Sequence, residues 1–152
     1  MAASDQTDLG QTRKKNFPRR RMMLGPPHTK RQYSMSDYKK LRVWRKAYAL
    51  AINADRIASE IRDADHKALR NQLNRAALSI PANIVEGRAK ASDRDFARFL
   101  EYALGSANEL EHHTMIGRDV GVISDPDSKS LLEQAVEIKK MLHALIHRLR
   151  GE

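Results

Sequence analysis

The chain has 152 residues, with 28 Lys and Arg against 19 Asp and Glu, a formal net charge of +9. That length suits one ordinary domain plus a tail, and the absence of Cys excludes disulfide scaffolds, thiolate metal sites, iron–sulfur clusters and Cys nucleophiles. The longest apolar run, Ala47 to Ile52, holds six residues, far below the roughly 20 of a membrane span, and no early apolar block is long enough for a secretory signal. With 5% aromatics and 7 Gly, an all-β fold and a glycine-rich nucleotide cradle are both disfavoured. The expectation is a basic helical protein of the cytoplasm.

Residues 1–35 come first and read as a disordered basic tail. Residues 1–37 hold eight bases (Arg13, Lys14, Lys15, Arg19, Arg20, Arg21, Lys30 and Arg31) and three acids. They show no apolar periodicity, and Pro18, Gly25, Pro26 and Pro27 interrupt any helix. The Arg-rich runs suit a nucleic-acid-binding arm. A solvated tail is the plainer reading, as is upstream sequence ahead of a start at Met35.

From residue 36 to 152 the pattern is that of a single helical domain. The first segment, about 37–62, spaces Val43, Ala47, Leu50, Ala54, Ile57 and Ile61 in alternating steps of four and three, one stripe of a helix. A second stripe of Trp44, Tyr48, Ala51 and Ala58 widens it enough to touch two neighbours. The second segment, about 66–88, uses Leu69, Leu73, Ala76, Ile80 and Ile84. The third, about 93–118, uses Phe96, Leu100, Ala103, Ala107, Leu110, Thr114 and Gly117. The fourth, about 126–149, uses Leu131, Ala135, Ile138, Leu142, Leu145 and Leu149.

The punctuation agrees with four helices. Ser92 before Asp93 and Asp95 is an N-cap with acids in the first turn. Asp125-Pro126 reads as a cap followed by Pro at the first helical position, and Gly87 and Gly121 stand where C-terminal caps belong. Pro81 inside the second helix predicts a kink. Gly105 inside the third predicts either a closely approaching backbone or a tolerated defect. Short loops between amphipathic helices give an all-α fold, an antiparallel up-down-up-down four-helix bundle.

A polar stripe flanks the core on the second helix (Gln72, Arg75, Ser79, Asn83 and Glu86), and another on the third (Tyr102, Ser106, Glu109 and His113). Folding the hairpin near residue 91 brings Arg75 level with Glu109. The expectation is a partly buried seam with an Arg75–Glu109 ion pair and Ser79, Asn83 and Ser106 as hydrogen-bonding fillers. A catalytic pocket is the rival reading, and it lacks a third group poised as a nucleophile. Glu109-x-x-His112 is half of a di-iron motif, but such sites need two copies and further carboxylates. Neither a phosphate-binding loop nor a nucleophile elbow nor a zinc-protease motif occurs. The expectation is therefore no enzyme, no cofactor and no metal.

Three blocks in order carry a resemblance. Arg75-Ala76-Ala77-Leu78-Ser79-Ile80-Pro81-Ala82-Asn83-Ile84-Val85-Glu86-Gly87 resembles the RAxxSIxANIxEG signature of the four-helix-bundle proteins encoded by intervening sequences in bacterial 23S ribosomal RNA genes. Phe96-x-x-Phe99-Leu100-x-x-Ala103-x-Gly105-Ser106-x-x-Glu109-Leu110 is similar to that family's second block, and Leu41-x-Val43-Trp44-x-x-Ala47 to its opening. The resemblance runs from about Tyr38 to Leu149, and the tail is the departure from it. It implies a basic bundle that assembles as a homopentamer, with no established catalytic residues. It also implies, through the related accessory variability determinants of diversity-generating retroelements, nucleic-acid binding and a reverse transcriptase as an alternative partner.

The outer basic residues complete the reading. Lys39, Lys40, Arg42, Arg45 and Lys46 surround the start of the first helix, and Arg88, Lys90 and Arg94 surround the second hairpin. Chain direction puts both clusters at one end of the bundle. That predicts a basic collar for sequence-independent phosphate contacts, with Tyr38 and Tyr33 placed to stack on unpaired bases. The expected function is a non-enzymatic, oligomeric accessory protein that binds nucleic acid, RNA in particular. A scaffold whose basic face meets an acidic protein is the alternative.

Overall fold

The computed structural model describes residues 37–152, so the tail reading of residues 1–35, with Tyr33, lies outside the described residues. These residues form two short 3-10 turns (Asp37–Lys40 and Ala64–His66) and four long helices: α1 (Arg42–Glu60), α2 (Lys67–Arg88), α3 (Asp93–Asp119) and α4 (Asp125–Arg150). Among the described residues there is no strand. Each helix packs along two neighbours, most extensively α2 on α3 and least α1 on α4. This is the expected up-down-up-down bundle.

The alternating spacing explains the core. Val43, Ala47, Leu50, Ala54, Ile57 and Ile61 are all buried, as are Leu73, Ala76, Ile80 and Ile84 across from them. On α3, Phe96, Leu100, Ala103, Ala107, Leu110, Thr114 and Gly117 turn inward together. On α4 the stripe departs from expectation near its end. Ile146 is buried, while Leu145 and Leu149 sit half-buried at the core's edge. A straight helix turns 100° per residue, so a strict seven-residue repeat drifts by about 20° per heptad. By the end of α4 that drift has moved the inward position from 145 to 146.

The helix ends are set by local chemistry. Ser92 Oγ accepts from the Asp95 amide at 3.0 Å and Ser124 Oγ from the Asp127 amide at 3.2 Å, so α4 is capped by Ser124 rather than Asp125. At the end of α3, Gly121 takes a left-handed φ of 82°. The Val122 amide then reaches the Gly117 carbonyl at 2.9 Å and the Gly121 amide reaches Arg118 at 3.0 Å. This is a Schellman closure, and it folds Ile123 against Gly117, where an added Cβ would collide with the Ile123 side chain.

One glycine expectation is corrected, and the alternative left at Gly105 is decided. Gly87 is no C-cap: α2 continues through it, and it is buried. A Cβ there would stand 2.7 Å from Phe99 Cβ and 2.9 Å from Phe96 Cδ2. Gly87 is thus the point where α2 and α3 pack closest to the hairpin. Gly105 is exposed, and among the described residues nothing beyond its own helix backbone lies within 4 Å of where its Cβ would be. No other described backbone approaches it, which leaves the tolerated defect. Pro81 is buried within α2, which stays helical on both sides of it.

The α1–α4 seam is zipped by polar groups. Lys46 pairs with Glu137 at 3.1 Å, Asn53 Nδ2 donates to Gln134 at 2.8 Å and Ser130 at 3.1 Å, and Arg56 pairs with Asp127 at 2.7 Å. Across α3 and α4, Lys139 holds Glu111 and Arg150 holds Glu101, both at 2.5 Å.

Candidate nucleic-acid interface

The seam between α2 and α3 forms, but narrower than its sequence suggests. Ser79 Oγ and Ser106 Oγ lie 2.8 Å apart, Asn83 donates to Ser79 Oγ at 3.1 Å and to its carbonyl at 2.9 Å, and Ser106 donates to the Tyr102 carbonyl at 3.1 Å. The Ser79–Ser106 contact fixes a register in which Arg75 and Glu109 are level, one turn further along. Both are nevertheless exposed, and no ion pair within 4.0 Å joins them. The expected Arg75–Glu109 pair is corrected on this point. Ala76, Ala103 and Ala107 are buried, and the two serines meet between the helices. Arg75 is turned out to solvent. Gln72 and Tyr102 also face outward, and Glu86 is taken up by Lys90 at 2.6 Å.

His113 is half-buried beside the seam, its ring 5.5 Å from that of His112. Burial, then the neighbouring His112, holds its pKa below the ordinary 6.5, against the opposing pull of Glu109. Among the described residues, no group of three His, Asp or Glu is placed to hold a metal ion.

The two basic clusters are brought to one end. Asp37, in the first 3-10 turn, pairs with Arg88, near the end of α2, at 2.6 Å. That bond lowers the Asp37 pKa from its usual value. Arg88, also 5.7 Å above the Phe96 ring, is largely covered. Its role is to fasten the start of the bundle to the α2–α3 hairpin. Lys90 is likewise held, by Glu86 and over the Phe99 ring at 4.9 Å, and Lys46 by Glu137. Lys39, Arg42, Arg45 and Arg94 are exposed with no ion pair among the described residues, and the Lys40 amine is open to solvent, 3.6 Å from Asp37.

The structure adds bases that the reading of the first three helices missed. α4 ends at the same end, bringing Lys140, Arg148 and Arg150, and the first turns of α3 add Arg98. Arg94, Arg98 and Arg150 rim a notch of about 900 Å³ whose lining also holds Asp95, Glu101 and Glu152, and Arg98 and Arg150 are paired there with Asp95 and Glu101. Running back against α3, α4 finishes beside the start of α1.

The result is a bipolar molecule. Residues 37–46, 83–101 and 140–152, the half with the hairpin of α2 and α3, carry twelve Lys and Arg against six Asp and Glu. Residues 47–82 and 102–139 carry eight against eleven. Residues 1–36 hold eight bases and two acids in sequence.

The family model of the 23S rRNA-intervening sequence protein matches residues 39–144. Among solved structures, the chain is similar to a protein of unknown function from the S23 ribosomal protein family of Bacteroides thetaiotaomicron. The two share 27% identity and a TM-score of 0.65, over 68% of this chain and 97% of that one. Among curated proteins none matches. The bundle, its three sequence blocks and the family match agree, and the chain belongs to the 23S rRNA-intervening sequence protein family.

Proposed function

We propose that this chain is a non-enzymatic, oligomeric protein of the cytoplasm that binds nucleic acid, RNA in particular, through the basic end of its bundle. The observation that supports it most is the charge polarity. Lys39, Arg42, Arg45, Arg94 and Arg148, which have no ion pair among the described residues, share one end, while the other end carries a net negative charge. Bases that no carboxylate occupies are free to replace the counterions of a phosphate backbone. The affinity then comes from charge, falls steeply with added salt and depends little on sequence. A filter-binding titration of RNA at two salt concentrations tests this, and salt-insensitive binding contradicts it.

Assembly is part of the same proposal. Ile52 and Leu78 are 59% exposed on α1 and α2, and Met115, Ile116, Val120 and Val136 are exposed on α3 and α4. Apolar faces of this kind ask for a cover. Two unlike faces on opposite sides of one subunit meet in a heterologous contact, which closes into a ring when the rotation permits. The number five rests on the family resemblance alone. Light scattering at micromolar concentration is expected to give a closed oligomer, and a monomer overturns the assembly.

A further inference from the structure

We propose that the nucleic acid bound at the basic end is single-stranded, its unpaired bases stacking on an aromatic ladder along α1. The inference rests on the nucleic-acid reading above and names the substrate class within it. Tyr38, Trp44 and Tyr48 form a continuous row: Tyr38 meets Trp44 edge-on with centroids 5.0 Å apart, and Trp44 meets Tyr48 at 5.2 Å with the planes tilted by 34°. The row starts in the basic collar and runs inward along the outer face of α1. Tyr38 and Trp44 are half-buried, and Trp44 packs against the core, but Tyr48 keeps 53% of its surface exposed.

Packing within the chain explains the inner two rings and leaves Tyr48 with an uncovered face. Its backing by Trp44 orders the ring before anything binds, which lowers the entropy lost on stacking. Arg45 stands one turn before Tyr48 on the same helix, exposed and without an ion pair among the described residues. A base on Tyr48 and the adjoining phosphate on Arg45 lie within the span of one nucleotide. A duplex keeps its bases stacked on one another and can use only the charge.

The chain contains one tryptophan, so Trp44 emission reports directly on this ladder. The full-length protein is titrated at low salt with an oligouridylate of about 15 nucleotides and with an RNA duplex of similar length. The single strand is expected to quench Trp44 and the duplex to bind without quenching. Tyr48→Ala should weaken single-strand binding about tenfold, the scale of one lost base–aromatic stack, and leave duplex binding unchanged, while Tyr48→Phe keeps both. Tyr48 is exposed, so the alanine variant retains the fold, checked by its circular dichroism. Single strand and duplex binding equally, without quenching, overturns the stacking and leaves the basic end intact. An emission shift that follows protein concentration alone means that a second copy covers the ladder, which overturns it too. Failure of both RNAs to bind removes the nucleic-acid reading itself.

Discussion

His113 shows how one side chain links burial to pH. Its pKa is depressed mainly because α3 holds the ring half out of water, where the charged form loses hydration. The unfolded chain therefore binds the proton more readily than the folded one. The stability that goes with neutral His113 is complete above pH 6.5, the ordinary value, and is lost as the pH falls from there through the depressed value. The urea midpoint is expected to drop between about pH 7.5 and pH 5.5, and His113→Gln, which cannot be protonated there, to flatten that drop. A variant with the same pH dependence as wild type contradicts the assignment. The carboxylates lowered by their partners, Asp37 by Arg88 and Asp127 by Arg56, act at lower pH, where acid protonates them and releases both bridges.

Between elements, the packing of α2 on α3 turns on glycines of opposite character. Gly87→Ala puts a methyl against Phe99 Cβ and the Phe96 ring and backbone. The Phe96 ring is buried in the core and Phe99 Cβ is fixed to its backbone, so overpacking there costs about 1–3 kcal/mol. Gly105→Ala meets nothing among the described residues and should stabilise the helix by about 0.5–1 kcal/mol. Denaturant midpoints of the two variants should move in opposite directions, and a destabilising Gly105→Ala contradicts the open environment found here. Should Gly105→Ala stabilise the subunit yet shift the light-scattering mass, then α3 lies in an assembly contact.

The seam on the same two helices also marks what the sequence reveals and what it hides. Spacing gave the level of Arg75 opposite Glu109, because a helix advances a fixed distance per residue. It did not give their rotation, which leaves both side chains exposed. The core stripes of α1, α2 and α3 were legible because they are long and regular. Ile123 was not, since its burial exists only where Gly117 lacks a side chain and Gly121 turns left-handed.

At the scale of the molecule, charge separation is the property from which the functional account grows. Half of it was legible, because an antiparallel bundle necessarily returns the end of α2 to the start of α1. The division of labour among the bases was not. Arg88 and Lys90 read as phosphate contacts in sequence, yet Asp37 and Glu86 already occupy them. Distinguishing a tied base from a free one needs the partner's position. Arg148 and Lys140 join the free set only because α4 runs back to the same end.

The most direct test reverses the free bases and leaves the tied ones alone. Lys39, Arg45, Arg94 and Arg148 changed together to Glu leave Asp37–Arg88 and Glu86–Lys90 in place, so the bundle should keep its circular dichroism and denaturant midpoint. Filter binding of RNA by this variant is expected to vanish at low salt. A control reversing Arg62 and Lys129, at the opposite end, should bind as wild type does, with the same fall in affinity as salt is raised. Full binding by the four-residue variant, or equal loss in the control, contradicts a basic end that holds nucleic acid.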